Sequence, residues 1–170
     1  DDGCARFILC CPQGEVAVSL PLPGRHNVAN ALVAAAGTLA LGVSLALVAS
    51  GLALAPKVAG RLNSTRVTPQ LLLIDDSYNA NLQSVRAAIE LLAAYGGRRI
   101  LVLGDMGELG ADARRYHAEV GQYAVARGID LLFSCGELSQ AASDAAAGRS
   151  QHFASHAPLV AELVALLQQQ

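Results

Sequence analysis

Tryptophan is absent from this chain of 170 residues, aromatic residues make up only 4% of it and charged residues only 15%, whereas 53% of its positions are hydrophobic. Such a chain must build its core from alanine, leucine and valine, and it carries too much apolar surface to be a disordered segment. Its length suits one domain, or one domain with part of another. No basic cluster is present either. The net charge is −2 with the arginines scattered, which excludes the electrostatic footprint expected of a protein that binds nucleic acid or an anionic membrane. The four cysteines, Cys4, Cys10, Cys11 and Cys135, have neither C-x-x-C spacing nor a histidine-rich partner segment. No zinc site or redox pair is expected from them, only reduced and buried thiols.

Other absences narrow the reading. A phosphate loop of the pattern G-x-x-x-x-G-K-[ST] is missing, and Gly96-Gly97-Arg98-Arg99 precedes an apolar run instead of following one. The chain cannot cradle a triphosphate in that manner. The apolar stretch from Ala29 to Leu54 is interrupted by Gly37, Gly42, Ser44, Ser50 and Gly51, so two short core helices fit it better than a membrane span. The opening Asp1-Asp2-Gly3 lacks the basic and apolar regions of an export signal, and a cytoplasmic location is expected. Both ends read as cut: the start lies in a strand-like context, and Gln168-Gln169-Gln170 follows a helix that would ordinarily feed another strand. His152 and His156 stand four apart but straddle Ser155, a cap candidate, so no metal site is expected there.

What is present falls into two patterns. Arg6 to Cys11 and Glu15 to Leu20 flank Pro12-Gln13-Gly14, which predicts a β-hairpin. A helix preceded by Asn27 is predicted to reach Leu41, where Gly42 stops it, and Ser44 to Leu54 predicts a second. Lys57 to Arg61 reads as a linker, with a domain boundary near Gly60. Beyond it, strands and helices alternate: strands at Leu71 to Asp75, Arg99 to Leu103, Leu131 to Cys135 and around His152. The helices are predicted around Val85 to Leu92, at Ala113 to Arg127, Ser139 to Ala147 and Leu159 to Leu167. Runs apolar on both faces predict a mostly parallel, doubly wound, Rossmann-like α/β domain over 61–170.

Ligands of such sheets sit at the carboxyl ends of the strands, which directs attention to Asp75-Asp76-Ser77-Tyr78-Asn79-Ala80-Asn81 and to Gly104-Asp105-Met106-Gly107-Glu108-Leu109-Gly110. A strand-end carboxylate can accept hydrogen bonds from a ribose diol. By chemistry alone the plainer reading prevails, in which Asp76 or Ser77 makes a turn and Asn81 caps the next helix. Asn27 and Asn30 share one helical face and can read an adenine edge, or Asn27 caps the helix while Asn30 is solvated. Arg61 can reach a phosphate or lie on the surface. His117 either orients the Asp105 loop or sits on the surface.

Taken in order, Pro23-Gly24-Arg25-His26-Asn27-Val28-Ala29-Asn30-Ala31, Gly60-Arg61, Asp75 to Asn81 and Val102 to Gly110 resemble the Mur ligases. D-D-S-Y-N-A-N and the G-D-M-x-E-L-G loop followed by His117, Val120 and Gly121 are similar to the branch that adds D-alanyl-D-alanine. The resemblance implies the C-terminal part of a central ATP-binding domain over 1–60 and a C-terminal ligase domain over 61–170, truncated at its end. It implies an ATP- and Mg2+-dependent, monomeric enzyme of cytoplasmic peptidoglycan precursor synthesis, joining D-alanyl-D-alanine to UDP-N-acetylmuramoyl-tripeptide through an acyl phosphate. By it, Asn27 and Asn30 meet adenine, His26 supports that turn, Asp76 holds the ribose and Arg61 meets the terminal phosphates. Ser77, Tyr78, Asn79, Asn81, Asp105, Glu108 and His117 are the candidates on the acceptor side. The phosphate loop, the central metal ligands and the UDP-sugar domain are not in this sequence, so the chain by itself is expected to be inert. Leu82 departs from the proline usual after this motif. Another Mur-type or folylpolyglutamate amide ligase, or a non-catalytic Rossmann-like binding module, are the competing readings.

Overall fold

The computed structural model describes residues 4–56 and 58–168. Lys57 of the expected linker and the terminal Asp1-Asp2-Gly3 and Gln169-Gln170 lie outside the described residues. The chain divides into two compact units, Asp1–Tyr78 and Asn79–Gln170.

In the first unit, β1 (Ala5–Cys11) and β2 (Gly14–Leu20) form an antiparallel hairpin with Cys11 opposite Gly14. Pro12 and Gln13 make the turn, as the sequence predicts. Leu9 and Val18 point inward and meet Ala35 of α1 (Arg25–Ala40) and Val48 and Ala49 of α2 (Leu45–Ala53). Small alanines on the inward stripe let the helices close on the hairpin. The α1 helix ends in a Schellman motif: Gly42, at φ 85, donates to the Leu39 carbonyl at 3.0 Å, and Val43 donates to Thr38 at 3.2 Å. Among the described residues no helix is long and apolar enough to cross a membrane.

Two expectations need correction here. The α1 helix starts at Arg25 with Gly24 at its N-cap, so Asn27 lies inside the first turn and is not the cap. Gly24, at φ 92, turns the chain three residues before Asn27. Leu71 to Asp75, expected among the parallel strands, is β4 (Leu72–Asp75) and pairs antiparallel with β3 (Asn63–Arg66) in a separate two-stranded ribbon. The turn between them returns the chain at once: Val67 donates to the Leu71 carbonyl at 2.9 Å, and the Thr68 hydroxyl accepts from Leu71 at 3.0 Å. None of Leu71 to Ile74 is fully buried and Leu73 is exposed, so this apolar run is not a strand covered on both faces, and its partner is the local strand β3.

The second unit is a mixed α/β fold. Its sheet is parallel, β5 (Ile100–Leu103), β6 (Leu131–Cys135) and β7 (Ser150–Phe153) in that order. Successive residues of β6 point to opposite faces. Leu132 joins Leu103 in a core with Val85 and Ile89 of α3 (Leu82–Ala93), Val120 and Ala124 of α4 (Ala113–Ala126), and Ala142 of α5 (Gln140–Ala145). Phe133 faces the other way and meets Phe153 edge-on, with ring centroids 5.4 Å apart, against Leu159 and Leu163 of α6 (His156–Gln168). Of the cysteines only Cys135 is buried; Cys10 is exposed, and Cys4 and Cys11 are half-buried, so the thiols of the hairpin are not the core residues expected.

Candidate functional site

The Asp75–Asn81 segment begins at the carboxyl end of β4, and its two carboxylates are used differently. Asp75 Oδ1 accepts from the Ser77 backbone N–H at 3.1 Å and from the Ser77 hydroxyl at 2.6 Å, closing a local turn. Asp76 reaches back across the chain, where its Oδ1 accepts from the Leu62 backbone N–H at 3.1 Å. The turn that meets it is strained: Leu62 is buried and sits at φ 52, a left-handed conformation that costs a branched residue roughly 1–2 kcal/mol. Gly60, at φ 71, accepts from the Tyr78 N–H at 2.9 Å, and a Cβ there would lie 2.8 Å from the Tyr78 nitrogen. Between these two anchors the Arg61 guanidinium lies over the Tyr78 ring, 4.4 Å from its centroid, while Tyr78 remains 63% exposed.

Burial pushes the Asp76 carboxyl above its ordinary value, against the Leu62 hydrogen bond and the positive field of His26; Asp75 adds to the rise and Arg61 opposes it. Arg61 thus stacks on Tyr78 next to the Leu62–Asp76 hydrogen bond, and the charges of His26 and Arg61 both lower the Asp76 carboxyl. Only Oδ1 of Asp76 is spoken for, and Arg61 has no ion-pair partner among the described residues. At the start of α1, Asn27 Nδ2 donates to the Pro23 carbonyl at 2.7 Å, which leaves its carbonyl end available. Asn30, one turn on, is exposed.

In the second unit Asn79 is exposed, and Asn81 is the cap foreseen from its chemistry. Its side chain accepts from Gln83 and Ser84 N–H groups at 3.0 Å each, while the Ser84 hydroxyl accepts from the Asn81 N–H at 3.0 Å. The Gly104–Gly110 loop leaves the carboxyl end of β5. Asp105 Oδ1 accepts from the backbone N–H groups of Leu138 at 3.0 Å and Ser139 at 2.7 Å. Burial by itself would raise this carboxyl, but those bonds outweigh it and hold Asp105 below the ordinary carboxylate range. His117 is wholly buried, with Nε2 2.8 Å from the Met106 nitrogen and Nδ1 2.7 Å from the Ala113 carbonyl oxygen. Nε2 can only accept from Met106, so Nδ1 carries the proton and donates to Ala113. His117 orients the loop. Glu108 is exposed at φ 58.

Sequence reading did not find the partners of these groups. Leu62, Leu138 and Ser139 act through backbone N–H groups, which no side-chain motif announces. His117 did carry a signal: Ala113, His117, Val120, Gly121 and Ala124 are all buried on one stripe of α4, at helical spacing.

A model of the Mur ligase family, described as the glutamate ligase domain, matches residues 60–170. The UDP-N-acetylmuramoyl-tripeptide–D-alanyl-D-alanine ligase of Escherichia coli strain K12 is 47% identical over 165 residues, which is 97% of this chain and 36% of that protein. The enzyme of the same name from Bacillus subtilis strain 168 is 38% identical over 79% of the chain and 29% of its own length. A crystal structure of MurF from Acinetobacter baumannii superposes with a TM-score of 0.91 at 39% identity, covering 99% of this chain and 37% of that one. The chain thus spans about a third of the length of the curated relatives it matches. Strand-end loops, strained turn and buried imidazole clamp stand on a backbone that these ligases share, and the chain belongs to the Mur ligase family.

Proposed function

We propose that this chain is part of the ATP-dependent ligase that joins D-alanyl-D-alanine to UDP-N-acetylmuramoyl-tripeptide in cytoplasmic peptidoglycan precursor synthesis. The observation that carries the reading is the Gly60–Leu62 turn locked to Asp76 and Tyr78, which holds Arg61 over Tyr78 and beside the Leu62–Asp76 bond. The relatives' printed names supply the acceptor. Residues 1–60 would close a central ATP-binding domain and 61–170 form the C-terminal domain, for which the helices on both sheet faces support a doubly wound, Rossmann-like class.

In this reading Asn27, through its free carbonyl end, and Asn30 meet the adenine edge. The unused oxygen of Asp76 accepts from the ribose, and Arg61 faces the terminal phosphates. Among the described residues no three carboxylate, imidazole or thiolate groups converge on a cation site, so Mg2+ would be held by the phosphates and by residues elsewhere in the enzyme. The tripeptide carboxylate takes the γ-phosphoryl group of ATP and ADP leaves; the neutral amine of the dipeptide then attacks the acyl carbon, and inorganic phosphate and a proton leave as the amide forms. Positioning and charge stabilisation carry such a transfer. This chain's part is to hold nucleotide and acceptor.

The test is phosphate release by the full-length enzyme with ATP and UDP-N-acetylmuramoyl-tripeptide. Turnover that depends on D-alanyl-D-alanine supports the proposal. Turnover with a single amino acid, or with glutamate and a folate, would transfer the chain to another amide ligase. The chain of 170 residues by itself is expected to release no phosphate.

A further inference from the structure

Among the described residues, arginines lie over aromatic rings at Arg61 on Tyr78, Arg115 on Tyr116, and Arg86 and Arg127 on Tyr123. All but one of them also grip a carboxylate: Arg86 that of Glu119, Arg115 those of Asp112 and Glu119, and Arg127 that of Glu90. Arg61 grips none, and its guanidinium makes no hydrogen bond within the described residues. Its backbone is nonetheless fixed, because the Arg61 N–H donates to the Val58 carbonyl at 3.2 Å and its neighbours Gly60 and Leu62 are tied to Tyr78 and Asp76. An exposed arginine side chain ordinarily samples many rotamers, and here the Tyr78 ring, 4.4 Å away, restricts it. An aromatic ring attracts a guanidinium by its quadrupole and leaves the N–H groups for another acceptor, whereas a carboxylate would take them. The Tyr78 ring is 63% exposed and its hydroxyl has no hydrogen-bond partner among the described residues, so neither burial nor a polar contact accounts for an aromatic side chain at this position.

We propose that Tyr78 is a positioning residue for Arg61, its ring holding the guanidinium in place while the N–H groups stay free for an oxyanion, the terminal phosphates of ATP. The inference rests on the ligase reading above, and it moves Tyr78 from the acceptor side, where its motif placed it, to the nucleotide side. A cation that is already in place, with its donors unspent, can answer the charge on the phosphoryl oxygens during transfer without reorganising. The ring thus contributes to turnover through Arg61 and touches no substrate itself.

Steady-state kinetics of the full-length enzyme tests the assignment. Tyr78→Leu lowers kcat about 3–30-fold, the loss of one cation–π contact, and leaves the KM for D-alanyl-D-alanine unchanged. Tyr78→Phe recovers most of that loss, since the hydroxyl is unused. Phenylalanines with increasing ring fluorination at the same position then lower kcat stepwise, because fluorine drains the π face while the ring keeps its shape, and a role in packing would leave the series flat. In an Arg61→Ala background, Tyr78→Leu has no further effect. Folding is preserved throughout, as the bond from the Tyr78 N–H to Gly60 is made by backbone and the side chain is exposed; the thermal midpoint of each variant stays near that of the parent. A flat fluorine series, or a kcat in Tyr78→Leu within about twofold of the parent value, overturns the inference and leaves the ligase reading standing. A raised dipeptide KM at unchanged kcat overturns it as well and returns Tyr78 to the acceptor side. A parent enzyme without dipeptide-dependent phosphate release overturns both the inference and the ligase reading.

Discussion

At the scale of single residues, two glycines in helices make opposite predictions. A Cβ on Gly121 would lie 2.1 Å from the Ala142 carbonyl oxygen, where α4 meets the backbone of α5. Gly121→Ala is therefore expected to destabilise the chain by about 1–3 kcal/mol or more, since the obstacle is backbone and cannot rotate away. Gly37 in α1 meets nothing within 4 Å, and Gly37→Ala is expected to stabilise by up to about 1 kcal/mol. Urea denaturation of both variants checks the pair. Asp105 makes a pH prediction. Its folded value lies below the ordinary one, so its contribution is complete above the unfolded value of about 3.9 and is lost as pH falls through the folded value. The thermal midpoint should drop on acidification below about pH 4, and Asp105→Asn should flatten that limb.

His117 shows what was legible at this scale. Its place on the buried stripe of α4 was readable from helical periodicity, whereas its bond to Met106 was not, because the partner is a backbone N–H eleven residues upstream. Asn81 was readable in full, as a capping residue's partners lie within its own first turn.

At the scale of elements, the cap of α3 is the clearest local determinant. Asn81→Ala removes the acceptor of two N–H groups and is expected to cost about 1 kcal/mol, with Ser84→Ala costing less. Hydrogen exchange at Gln83 and Ser84 reads the loss directly. Elements with an apolar period were visible in the sequence, and β6 occupies the stretch expected from Leu131 to Cys135. β3 was not visible: Asn63-Ser64-Thr65-Arg66 has no apolar alternation, and it is a strand because β4 pairs with it. The partner of β4 was misread for the same reason. In β4 hydrophobicity did not specify the covered face, since Leu73 is exposed, and its hydrogen-bonding partner was chosen by the turn that precedes it.

At the scale of the whole molecule, each unit has its own core. Leu9→Ala opens a cavity in the first and Ile89→Ala in the second, each at about 2–5 kcal/mol. If the cores are independently cooperative, hydrogen exchange will rise within the substituted unit and remain near the parent rate in the other. Uniform acceleration by either substitution would instead mark one folding unit.

The seven-residue motif at Asp75–Asn81 does not belong to either unit as a whole. Its first four residues, through Tyr78, close the first unit, and Asn79 to Asn81 open the second. Tyr78 is bonded to Gly60 on one side, and Asn81 is fixed by its capping box on the other. Between those two fixed points the covalent connection is Asn79-Ala80. Ala80 is packed against the core of the second unit, whereas Asn79 is exposed, so within the motif the passage from one unit to the next falls on a single exposed residue.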